Sequence, residues 1–78
     1  MAIWLKAVNV RLNLNNVTSV QKTTVQNDVY LDIKSTSGDV TTIPMIDSAA
    51  ADELINIITD TINAGGDVTI DTTPFEKV

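Results

Sequence analysis

Apolar and polar residues alternate through the first half of the chain, then recur at every third and fourth position between residues 51 and 62. That change of period predicts strands followed by one helix. The first segment, Ile3 to Val8, is apolar on both parities, with Ile3, Leu5 and Ala7 set against Trp4, Lys6 and Val8. Strands of that kind are usually covered on both faces. Val10 to Leu14 alternates cleanly, Val10, Leu12 and Leu14 pointing one way and Arg11 and Asn13 the other. Only Val8-Asn9 separates these two segments, and it is no turn dipeptide. A hairpin or one long bulged strand would both satisfy the pattern, and the rarity of long strands favours the hairpin.

Asn15-Asn16 is a better turn signal, because asparagine tolerates left-handed backbone and bonds its own neighbours. Val17 and Val20 then stand three apart, which breaks strand parity and predicts a corner before a strand at about 19–25. A polar turn at Gln26-Asn27-Asp28 leads into the clearest strand, Val29 to Lys34. There Val29, Leu31 and Ile33 face a core while Tyr30, Asp32 and Lys34 face outward. Ser35 to Asp39 reads as a loop, and Val40 to Ile43 as a strand that Pro44 ends or confines to an edge.

The helix is bounded by Asp47-Ser48 as N-cap and by Asn63-Ala64-Gly65-Gly66 as stop. Ala51, Leu54, Ile55, Ile58 and Ile62 form one stripe, with Asp52, Glu53, Asn56, Asp60 and Asn63 opposite it. Leu31, Ile33, Leu54 and Ile58 are therefore expected to meet between sheet and helix. Ile57 lies about 120° from the stripe centre, level with Ala50 and Thr61. It is either the covered flank of a wide apolar face or part of an Ala50-Ile57-Thr61 contact surface for another subunit.

After the Gly-Gly break, Val68, Ile70 and Thr72 alternate with Thr69, Asp71 and Thr73, a strand pattern with no hairpin partner. Such a strand returns to its own sheet or pairs with another chain's edge. Phe75 in the tail either caps the core or anchors an exchanged segment. The expected fold is α+β: an antiparallel β-meander of four to five strands packed on one α-helix at about 48–63, followed by a C-terminal strand at about 67–73. One domain is expected for 78 residues.

This order of elements, with the Asn-rich corner Leu12-Asn13-Leu14-Asn15-Asn16-Val17-Thr18-Ser19-Val20, resembles a pattern among very small, mostly uncharacterised bacterial and phage proteins. The resemblance spans about residues 3 to 64. The chain departs from it in lacking an Asn-Gly or Asp-Gly turn in the first hairpin and in having a strand after the helix. The resemblance implies a meander followed by a helix, and no functional residue.

Composition narrows the chemistry. There is no histidine and no cysteine, so the commonest general bases, nucleophiles and zinc ligands are missing, and disulfides with them. Net charge is −5, and the cations Lys6, Arg11, Lys22, Lys34 and Lys77 are scattered singly, a poor footprint for nucleic acid or an anionic membrane. The carboxylate pairs Asp28/Asp32 and Asp67/Asp71 would stand roughly 13 Å apart along strands, too far to share an ion. A serine nucleophile would have to rely on a lysine such as Lys34. Gly65-Gly66 follows a helix, so it reads as a stop and not as a phosphate cradle. Asn16-Val17-Thr18 matches a glycosylation acceptor, but the first residues show no secretory pattern that would expose it to that machinery. No catalytic, metal or cofactor site is expected, and no cofactor.

A chain this short buries only roughly 60% of its unfolded surface, which makes oligomerisation the natural supplement. The leading expectation is a soluble, cytoplasmic, non-enzymatic interaction protein forming a homo-oligomer, most simply a two-fold dimer. Its contact residues would be drawn from Ala50, Ile57, Thr61, Val68, Ile70 and Phe75. The alternative is a single-stranded nucleic-acid module using Trp4, Arg11, Tyr30 and Lys34, although a lone tryptophan on a first strand is more often core. Charge argues against nucleic acid, and no run of apolar residues is long enough to span a membrane.

Overall fold

In a computed structural model, which describes residues 2–77, the chain forms two three-stranded sheets and one helix in an α+β arrangement. The first sheet contains β1 (Ile3–Lys6), β2 (Arg11–Asn13) and β6 (Val68–Asp71), in the order β2-β1-β6. The second is the meander β3 (Val17–Val25), β4 (Asp28–Ser35) and β5 (Val40–Met45), in that order. Helix α1 (Ser48–Ala64) packs on all three strands of the meander. The expected continuous meander is thus divided between two sheets, and the C-terminal strand completes the first of them.

The first two strands are a hairpin. Lys6 stands opposite Arg11, and Ala7 N donates to Val10 O at 2.9 Å to close the turn. The turn lacks favoured residues and is held from outside. Arg11 Nη1 donates to Ala7 O at 2.8 Å, and Val8 N donates to Glu76 Oε2 at 3.1 Å. At the corner, a 3₁₀ helix spans Leu14–Asn16, with the Asn13 side chain accepting from Asn15 N at 3.0 Å. Leu14 is buried there and no longer belongs to the strand.

The parity break at Val17 and Val20 has a local cause. The β3–β4 register shifts between Val17 and Ser19, so one extra residue is accommodated and Val17 and Val20 both keep the inner side. The strand therefore begins at residue 17 and not after a corner. Val25 pairs with Asp28 across a two-residue loop, and Gln26 in that loop has φ 55°, a conformation unusual for a residue with a side chain. Strand β5 runs through Pro44, which its edge position permits.

Asp47 caps α1 by accepting from Ala50 N at 2.7 Å, and Gly65, at φ 74°, ends it. Leu31, Ile33, Leu54 and Ile58 all lie in one buried cluster with Ile3, Leu5, Ile43, Met45 and Ile70. The inner faces of both sheets and the helix stripe thus share a core. Ile62, expected on the stripe, is 50% exposed at the last turn, whereas Ile57 is half-buried and packed against the core.

Strand β6 pairs in parallel with β1 of its own chain, Leu5 opposite Ile70. It is shorter than the pattern predicts. Asp71 turns the chain by accepting from Thr73 N at 3.0 Å, and a second 3₁₀ helix, Thr73–Phe75, follows. Val78, the end of the tail, lies outside the described residues.

Candidate functional site: an open strand edge beside an apolar groove

A sheet edge displays unpaired backbone donors and acceptors, so the state of each edge decides where another strand can add. The first sheet ends in β2 and β6, strands of three and four residues. On the meander, β5 is met along its C-terminal half by the tail. Met45 and Glu76 form an antiparallel bridge, Ile46 N donates to Phe75 O at 3.0 Å, and Lys77 N donates to Pro44 O at 3.0 Å. The opposite edge, β3, is nine residues long, and among the described residues no strand lies along its outer side.

Beside β3, between its first half and the C-terminal half of α1, runs a groove of about 240 Å³. Leu14, Val17, Val20, Ile55, Ile58 and Ile62 supply its apolar wall, and Thr18, Ser19 and Thr59 its polar atoms. No charged residue lines it. Farther along the strand, Lys22 is tied to the helix, its Nζ 2.8 Å from both Asp52 Oδ1 and Ser48 Oγ. The one cation of β3 is thus paired within the chain.

The expected contact residues are dispersed. Ala50, Ile57 and Thr61 are all half-buried on the helix flank. Ile70 is 7% exposed and committed to the core, and Phe75 is half-buried against it, while Val68 is exposed. The residues of the nucleic-acid alternative divide between the sheets. Trp4 is exposed on the outer face of the first sheet, where register places Lys6, Arg11, Asn13, Thr69 and Asp71. Tyr30 and Lys34 lie on the outer face of the meander. The expectation of a core tryptophan is corrected: Trp4 is 41% exposed, because the positions beside it in β2 and β6 are polar.

The carboxylates have separate tasks. Asp32 accepts from Thr23 Oγ1 at 2.7 Å and Thr42 Oγ1 at 3.0 Å, and Asp28 pairs with Lys77 at 3.1 Å. Asp67 accepts from Ala2 N at 2.6 Å. Asp71 is held below the ordinary carboxylate value by the Thr73 hydroxyl at 2.7 Å, then by the Thr73 N–H, with the charges of Lys6 and Arg11 adding to them. Among the described residues no three acidic groups converge on a point that could hold a metal ion. The oxygens of the 35–39 loop bond one another, as in Ser37 Oγ to Asp39 Oδ2 at 3.1 Å.

Two polar residues, Thr72 and Glu76, lie in the interior. Thr72 is fully buried, with Oγ1 3.0 Å from Lys6 O and 3.1 Å from Glu76 Oε2, and Glu76 is 7% exposed. An alternating strand pattern marks Thr72 as inward, but nothing near Glu76 in sequence marks it as anchored. No family model matches this sequence, and no curated protein or solved structure shows significant similarity to it. Among the described residues no helix is long and apolar enough to cross a membrane.

Proposed function

We propose that this chain is a small, non-enzymatic interaction protein of the cytoplasm, working as a homo-oligomer, most simply a two-fold dimer joined along β3. The observation that carries this reading is the open nine-residue β3 edge with an uncharged apolar groove beside it. Antiparallel pairing of β3 with its own copy is self-complementary, as a two-fold interface requires. Each copy carries net charge −5, yet the only charged residue in β3 is Lys22, already paired with Asp52, so no carboxylate opposes another across this contact. Added ladder bonds would supply the association, and side chains on alternate positions would enter the groove side. Placing the contact on the helix flank has less to recommend it, since Ile57 is packed on the core.

Sedimentation velocity tests this. The chain is expected at twice its 8.4 kDa mass, and the double variant Gln21→Lys/Val25→Lys, which loads an exposed edge with charge, is expected as a folded monomer. A wild-type chain that stays monomeric at tens of micromolar defeats the reading.

One observation favours a second reading, a single-stranded nucleic-acid module: exposed Trp4 shares a face with Lys6 and Arg11. Asp71 on that face and the remoteness of Tyr30 and Lys34 weigh against it. Titration of tryptophan fluorescence with single-stranded DNA at physiological salt is expected to show no binding. A salt-sensitive complex lost in Arg11→Ala would reverse the order of the two readings.

A further inference from the structure

We infer that the β5 edge is a second strand-accepting surface, covered at its C-terminal end from Pro44 to Ile46 by the chain's own residues 73–77, and that its alternative occupant is the β3 edge of another copy. After the 3₁₀ helix Thr73–Phe75 the tail meets that edge in a single antiparallel bridge. Glu76 faces Met45 in an antiparallel bridge flanked by Ile46 N to Phe75 O and Lys77 N to Pro44 O, each at 3.0 Å. The edge is therefore shaped to take extended backbone, and a strand from elsewhere can replace the tail once it leaves.

Two side chains hold the tail: Phe75, half-buried against the core, and Glu76. Glu76 is nearly buried, and its Oε2 accepts from Val8 N and from Thr72 Oγ1, both at 3.1 Å, fastening the tail to the first hairpin and to the end of β6. The other side-chain tie, Lys77 Nζ to Asp28 Oδ1 at 3.1 Å, joins two groups about half exposed and contributes little.

The consequence concerns how assembly ends. Pairing β3 with β3 is isologous and stops at two copies, whereas pairing β3 with β5 is head-to-tail and has no closure of its own. Residues 73–77 thus act as an edge guard that keeps the protein from growing into an open chain of sheets. This inference shares with the proposed dimer the premise that β3 accepts a strand, but it does not require the wild-type chain to be dimeric.

The test compares wild type, Glu76→Ala, and Lys77→Pro, which deletes the N–H donated to Pro44 O. Glu76 is extended, with φ −82° and ψ 146°, so a proline after it is tolerated. Circular dichroism establishes folding, hydrogen exchange reads the Ile46 amide, and sedimentation at rising concentration reads assembly. In both variants Ile46 exchange should accelerate by at least an order of magnitude in dilute solution. Mass should then increase continuously with concentration, and Gln21→Lys/Val25→Lys added to either variant should restore a discrete species.

Where Glu76→Ala fails to fold, Lys77→Pro decides. A folded variant with Ile46 exposed but wild-type sedimentation at every concentration overturns the inference, as does Ile46 protection unchanged in every folded variant. A monomeric wild type defeats the β3 dimer alone, since growth of the variants is judged against that baseline.

Discussion

Truncation of Leu54 measures how far the helix stripe carries the fold. Leu54 is fully buried between Ala51 and Ile58, which are themselves buried, and belongs to the cluster that joins both sheets. Removing its branched end forfeits part of the roughly 1.5–3 kcal/mol gained by burying such a side chain. The surrounding strands cannot collapse fully onto the space, so the total loss in Leu54→Ala is about 2–5 kcal/mol. Stability for 78 residues is on the order of 4–12 kcal/mol, so the variant gives up a large share of it. A loss of about 3 kcal/mol lowers Tm by roughly 12–24 °C in a domain this small.

Ile62→Ala is the internal control. Ile62 occupies the same periodic stripe but is 50% exposed, so its truncation removes less transfer free energy and leaves no closed cavity. The cost is about 1 kcal/mol or less, partly offset by the better helix propensity of alanine. Thermal unfolding by circular dichroism should be run in the Gln21→Lys/Val25→Lys background, because Ile62 lines the groove beside β3 and association would bury it and make Tm concentration-dependent. A Leu54→Ala Tm within about 5 °C of that background, or an Ile62→Ala loss equal to that of Leu54→Ala, would refute the packing argument.

Two smaller perturbations address single contacts. Asp47→Ala removes the acceptor 2.7 Å from Ala50 N and should cost about 1 kcal/mol in urea unfolding, with Asp47→Ser largely retaining stability. The carboxyl of Asp71 is depressed by Thr73, so its contribution is complete above the ordinary carboxylate range and fades as pH falls through the lowered value. The stability gap between wild type and Asp71→Asn should therefore be widest near neutrality and narrow in acid, and a gap independent of pH would contradict it.

The elements that sequence periodicity located well are those whose hold is local. Asp47, the stripe from Ala51 to Ile58 and Gly65 define α1 from within its own length, and Val29, Leu31 and Ile33 do the same for β4. The first hairpin is different. Its turn, Ala7 to Val10, carries no favourable dipeptide because its amide and carbonyl groups are engaged by Arg11 and by Glu76, the latter 68 residues away. Pairing of β1 with β6 is equally distant, and that pairing fixes the face of Trp4. Once Asn13 and Thr69 stand on either side of it, both polar, the tryptophan belongs to the solvent face whatever its own preference for burial.

The sequence does not place the open strand edge. Its pattern directs edge pairing to β6, the late strand without a hairpin partner. In the folded chain β6 and the tail satisfy themselves against β1 and β5, and in doing so they pass the vacancy to β3. Nothing in the sequence of Val17 to Val25 marks it as an edge: it has no proline, and the features that blunt it, the register shift between Val17 and Ser19 and Lys22 on the inner face opposite Leu31, emerge only from its pairing with β4. The two edges of the meander thus differ: the tail bonds β5 around Met45, whereas beyond the bulge no strand among the described residues lies along the outer side of β3 from Ser19 to Val25, and Gln21→Lys/Val25→Lys tests that length as the pairing surface.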